Sequence, residues 1–243
     1  ANLADPGIAR INSDNEAARK QADVIGAKTI GTATAPITTA SDAQDSSFGS
    51  SVRNRESAMS NMVAQMFKDT LGKDDPNFIG IQNPGGTRAS LQSGEITYKD
   101  AALVLPFANS LMTTKITGEQ FKQVLEEQWQ HDEKGQVPSR PFLSLGLSNN
   151  VSYTYDENLP EGQRITSVWV NGKPIDPKAS YTVGSGSFLI NGGDNFHTLA
   201  KGSRPVDTGK VDLDTWVSWI KDQGKLTPSF ARRGVSVLSL IHI

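Results

Sequence analysis

The 243-residue chain contains no cysteine, which excludes disulfides and thiolate chemistry but leaves the compartment open. It has three histidines, His131, His197 and His242, and none stands in an Asp-x-His or His-x-His pair. His197 follows Asp194 by three residues, a poor start for a metal site. His242 is the penultimate residue of a tail with no clear assignment, where fraying is the expected state. Two-metal phosphoryl-transfer centres need a cluster of such ligands, so catalytic and metal-ligating residues are expected outside this chain. No Gly-x-Ser-x-Gly elbow occurs, and Gly184-Ser185-Gly186-Ser187 is not that motif, so a Ser/His/Asp triad has no support. The formal net charge of −2 lacks the basic face of a general nucleic-acid or membrane-surface binder. No apolar run approaches the length that spans a bilayer. Residues 1–6 lack the charged and then apolar start of a signal peptide, and such an abrupt start reads as a fragment or a processed product.

What is present is an ordinary globular composition with helix and strand signals mixed without strict βαβ alternation, which predicts an α+β fold. Residues 7–25 read as a polar helix with a thin apolar stripe of Ile8, Ile11, Val24 and Ile25. Residues 28–37 read as a strand and 38–52 as a mobile loop. Residues 53–70 form the clearest helix, with Met59, Met62, Val63, Met66 and Phe67 on one face. Capping patterns at Thr97/Asp100 and Thr117/Gln120 start two more helices, the second carrying Phe121, Val124, Leu125 and Trp129. Residues 142–147 and 151–155 are strand-like. Asn171-Gly172 marks a hairpin, and residues 212–223 form the last helix, with Gly224 suited to its end.

Three stretches stand apart. The first, Asn83-Pro84-Gly85-Gly86-Thr87-Arg88, is a Gly-Gly loop after an apolar strand at 78–81. The second is Leu105-Pro106-Phe107-Ala108-Asn109. The third is Ser187-Phe188-Leu189-Ile190-Asn191-Gly192-Gly193-Asp194-Asn195-Phe196, a second Gly-Gly loop with an acidic residue between two Phe, which follows a strand at 181–184. Glycines there permit a positive φ or a close approach that no side chain allows. Read alone, the last stretch is equally a tight turn with two core rings.

In this order and at these separations, the three stretches resemble the C-terminal domain of the 5'-nucleotidase / 2',3'-cyclic phosphodiesterase family, bacterial extracellular type, over residues 28–225. The resemblance implies a layered α+β architecture, with residues 1–27 as an interdomain linker helix and 28–243 as the substrate-binding domain. A frayed surface helix is the other reading of the first segment. The resemblance also implies a separate N-terminal metallophosphatase domain that holds two divalent metal ions and performs hydrolysis, so that this chain binds substrate and needs no cofactor of its own. The location implied is extracytoplasmic: secreted, periplasmic or attached to the cell wall.

By motif position, Phe142 and Phe188 would clamp the base, since stacking tolerates any base. Asp194 would accept from the ribose hydroxyls, and Arg88 would hold the phosphate or sugar side. Asn83, Asn109 and Asn191 occupy the family's loop positions, where they contact substrate or brace the loops. Each has a structural alternative: Phe142 as a core ring on a strand, Asp194 as a turn residue, Arg88 as a surface cation. The sequence departs from the family pattern at Thr87, Gln92, Ser144 and Asn195. These changes bear on phosphate affinity and base preference more than on fold. Two rivals remain: a non-catalytic ligand-binding or cell-surface interaction module that uses the same cleft, and a degenerate domain kept for structure.

Overall fold

The computed structural model describes residues 5–42 and 52–240. Most of the loop expected over 38–52, and the end of the tail, residues 241–243 with His242, lie outside the described residues.

The chain opens with α1 (Pro6–Gly26), capped by Asp5, whose side chain accepts from the Gly7 amide at 2.7 Å. Proline at the first helical position has no N–H to leave unsatisfied. Nearly every residue of α1 is exposed, as its polar sequence dictates. Next come β1 (Thr29–Ala33) and α2 (Ala58–Leu71). The latter starts five residues later than the apolar periodicity alone indicates, because extended Ser57 caps it by accepting from the Ser60 amide. The preceding stretch, with Arg53, therefore stays outside the helix. β2 (Phe78–Gln82) and β3 (Gly94–Thr97) lead to α3 (Tyr98–Val104), then β4 (Ser110–Thr117) to α4 (Gly118–Glu126). Both predicted capping boxes are made, at Thr97/Asp100 and Thr117/Gln120.

Two short strands follow, β5 (Gly146–Leu147) and β6 (Val151–Tyr155), then the hairpin of β7 (Ile165–Val170) and β8 (Lys173–Pro174). Its turn residues Asn171 and Gly172 have φ of 53° and 72°, as an Asn-Gly turn requires. Of the strand expected over 142–147 only β5 forms, and Phe142 makes a single bridge to Trp129. β9 (Ser180–Gly186) runs into α5 (Ser187–Ile190) and α6 (His197–Ala200). β10 (Ser203–Val211) and α7 (Asp212–Gln223), closed by Gly224 at φ 65°, precede β11 (Lys225–Leu226), β12 (Gly234–Ser236) and α8 (Val237–Leu240). The tail left unassigned by sequence thus pairs β12 parallel to β6.

Among the described residues the strands form three sheets: β11-β1-β3, the central β10-β4-β9-β2-β5, and β12-β6-β7-β8. One core packs the central sheet against α4 and the β6–β8 sheet, through Ile79, Ile81, Phe121, Val183 and Phe196. The other packs α2, α3 and α7 over the small sheet, through Met59, Phe67, Leu111 and Trp216. α2 lies directly on β2: a side chain at Gly80 would place its Cβ 1.9 Å from the Ala64 carbonyl oxygen, so only glycine allows the approach.

The register of the central sheet builds the site. β2 and β9 are parallel, with Gly80 beside Gly184, so the chain leaves both strands at the same end. β4 is antiparallel to β9, with Leu111 beside Gly186, so β4 begins at that same end. All three motif stretches therefore meet at one edge, beyond the carboxyl ends of the parallel pair, where open sheets commonly bind ligands.

Candidate functional site

The three loops surround a cavity of about 430 Å³, within the range of small-molecule sites. Of the residues expected there from sequence, Asn83, Arg88, Asn109, Phe188 and Asp194 line it.

Asp194 is set by its turn. Gly192 (φ 88°), Asp194 (φ 53°) and Asn195 (φ 61°) are all left-handed, which carries the chain tightly around the end of β9. From the first loop, buried Asn83 donates Nδ2–H to Asp194 Oδ2 at 2.7 Å. The carboxylate thus spans the gap between both Gly-Gly loops and keeps Oδ1 for another donor. Phe188, 50% exposed, projects its ring from the start of α5. Its neighbour is fixed too: a Cβ on Gly193 would come 2.6 Å from the ring.

Two cations line the cavity as well. Arg88 donates to the Gly85 carbonyl at 3.4 Å, and its guanidinium carbon lies 5.9 Å from the Phe107 ring centroid. Arg53 also lines the cavity, from the bend before α2. Partial burial lowers its pKa, as do the nearby Arg140 and Arg88 charges, against an opposing pull from Asp194. Like charges gathered in this way favour an anion between them.

The cavity floor holds a second carboxylate. Asp212, 3% exposed, accepts from Asn109 Nδ2 at 3.0 Å and from the Leu213 amide at 2.7 Å. Burial holds its carboxyl above the ordinary aspartate range, against these hydrogen bonds, and the Asp214 charge adds to the rise. Asn109 therefore braces Asp212 while facing the cavity.

Two expected residues do not line the cavity. Phe142 is half-buried and packs edge-on to Trp129, with ring centroids 5.0 Å apart. It borders an adjoining hollow that shares Arg53 and Arg88 with the main one. Asn191 caps the end of α5, is exposed, and lies with its amide 4.0 Å from the Met112 sulfur. Conversely, Arg53, Gln82, Phe107 and Asp212 line the cavity without having been singled out as contacts. Phe107 stands inside a recognised stretch and could have been found there. Arg53 sits in a polar run that reads as the first turn of a helix, and Asp212 reads as an ordinary helix start.

Among the described residues, no group of three or more His, Asp or Glu side chains could hold a metal ion.

The chain is thus an α+β domain in which rings, carboxylates and guanidiniums meet on one open cavity. The family profile described as "5'-nucleotidase, C-terminal domain" matches residues 29–201, and the chain belongs to that family. It is 31% identical over 198 residues to a probable 5'-nucleotidase of Treponema pallidum, covering 75% of this chain and 31% of that protein. It is 33% identical over 155 residues to an NAD 5'-nucleotidase of Haemophilus influenzae, covering 59% of this chain and 25% of that one. Among solved structures, a 5'-nucleotidase precursor from Thermus thermophilus superposes with a TM-score of 0.75 at 26% identity, over 94% of this chain and 43% of that one. The chain spans less than a third of the length of the curated relatives it matches.

Proposed function

We propose that this chain is the substrate-recognition domain of a metal-dependent, extracytoplasmic nucleotide phosphohydrolase. The observation that carries the reading is the meeting of an exposed ring, an outward carboxylate and two arginines in one cavity. The base stacks on Phe188, the ribose hydroxyls donate to Asp194, and the phosphate lies toward Arg88 and Arg53. The second face of the base belongs to Phe142 in the family pattern, while Phe107 offers a ring within the cavity itself. Two divalent ions are held by an N-terminal metallophosphatase domain outside this chain, and α1 is the linker about which substrate is carried to them. The chain alone binds and does not hydrolyse. Among the described residues no helix is long and apolar enough to cross a membrane.

Isothermal titration of ring variants tests the reading. Phe188→Ala should weaken adenosine binding by about 1–3 kcal/mol, the worth of one stacking ring. A comparable loss in Phe142→Ala or in Phe107→Ala identifies the opposing ring. Unchanged affinity in all three variants rules out a base clamp.

A further inference from the structure

The Asp194 turn is costly to hold. Two consecutive residues with side chains, Asp194 (φ 53°, ψ 34°) and Asn195 (φ 61°), occupy the left-handed region. Asp and Asn tolerate it better than most residues, but a run of two persists only when its surroundings enforce it. Asn83 restrains the turn from the cavity side. The restraint from behind comes from the turn that follows α4.

Asn195 donates Nδ2–H to Gln130 Oε1 at 2.9 Å. Gln130 is 1% exposed, and its other groups are already committed. Its Nε2 donates to the Glu127 carbonyl at 2.7 Å, and its backbone amide donates to Pro141 at 2.9 Å. The side-chain amide orientation is therefore forced, with the oxygen toward Asn195. Three residues further along the loop, Thr198 donates its hydroxyl to Glu127 Oε1 at 2.6 Å and its backbone amide to the same oxygen at 3.1 Å. Between these two tethers, Phe196 is fully buried and fixes the height of the loop. The back of the turn otherwise borders an open hollow lined by Gln123, Trp129, His131 and Glu161, so the two hydrogen-bond tethers and the buried Phe196 ring restrain it there.

We propose that Gln130 and Glu127 are positioning residues for Asp194. From behind the loop they hold the left-handed turn in the geometry that presents the Asp194 carboxylate to the paired hydroxyls of a ribose. The proposal rests on the ribose role of Asp194 given above and adds the groups that enforce it. Neither Gln130 nor Glu127 needs to touch the ligand. Their effect should appear only in the part of the affinity that depends on the ribose hydroxyls, leaving the base-dependent part in place.

The test compares adenosine with 2',3'-dideoxyadenosine, which lacks both hydroxyls, by isothermal titration of the full chain. The wild type should prefer adenosine by at least ten-fold, and Asp194→Asn should erase most of that preference. Gln130→Ala and Glu127→Ala should each reduce it at least three-fold with little change in dideoxyadenosine affinity. A merely structural role would weaken both ligands alike. Asn195→Gly, which removes the partner of Gln130, should bring the same loss, and Gln130→Ala should then add nothing to it. Should Gln130→Ala prove unstable, the Asn195→Gly arm carries the comparison. If Asp194→Asn erases the preference while Gln130→Ala and Asn195→Gly leave it intact, the positioning role is refuted and the ribose reading stands. If the wild type binds both nucleosides equally, the ribose reading fails and the positioning role with it.

Discussion

Removing the Asn83 amide tests whether the two Gly-Gly loops act as one unit. In Asn83→Ala the Asp194 carboxylate loses its donor at 2.7 Å, across 111 residues of sequence. A hydrogen bond to a charged group contributes about 1.5–3 kcal/mol. Asn83 is 6% exposed, so water cannot fully replace it, whereas half-buried Asp194 can recover part of its solvation. A loss of about 2 kcal/mol follows, which for a domain of this size is a fall in Tm of about 4–8 °C. Asn83→Asp is the sharper variant, because it puts a second carboxylate against the first. Two like charges about 4 Å apart repel by about 4 kcal/mol at an effective dielectric of 20. This variant should therefore be less stable than Asn83→Ala at pH 7 and recover toward pH 4, where one of the pair takes up a proton. Differential scanning fluorimetry across pH reads both effects. If Asn83→Ala melts with the wild type, and Asn83→Asp matches it at every pH, the bridge between the loops contributes nothing and the reasoning fails.

The second core predicts that Trp216→Ala, which empties a fully buried site, costs about 3–5 kcal/mol by denaturant midpoint. Gly80→Ala forces α2 off β2 and should cost at least the 1–3 kcal/mol or so typical of overpacking, although the change is only one methyl group. The raised carboxyl of Asp212 gives a pH effect of definite sign. The folded state binds that proton more tightly than the unfolded chain does. The Asp212 contribution therefore favours folding below the ordinary aspartate value of about 4 and is lost as pH rises through the raised one. Relative to the wild type, Asp212→Asn should gain stability across that window, as read by urea titrations at successive pH values.

Local chemistry made much of this fold legible. The capping boxes at Thr97 and Thr117 fix helix starts through two reciprocal hydrogen bonds, and both helices begin where those bonds place them. Asn171-Gly172 and Gly224 adopt the positive φ that their composition allows. Long-range competition was not legible. The apolar face of α4 continues to Trp129, yet the helix stops at Glu126, since buried Gln128 turns to accept from the Leu145 amide and Trp129 pairs with Phe142. β12 forms only because β6 offers a free edge to it. The same division holds at the site. Asn83, Arg88, Phe188 and Asp194 sit in loops that sequence marks by paired glycines, and the sheet register unites them. Arg53, Gln130 and Asp212 reach the site through tertiary placement, from segments whose local pattern reads as ordinary helix or turn.

The family match spans residues 29–201, and the proposed task of the cavity is recognition of a nucleoside. Isothermal titration of this chain with adenosine and AMP, each with and without a divalent metal, tests it most directly. Saturable binding of both ligands, unchanged by metal, is the expected result. No heat with either ligand, or binding that appears only with metal, would overturn a recognition site built from this chain's own rings, Asp194 and arginines.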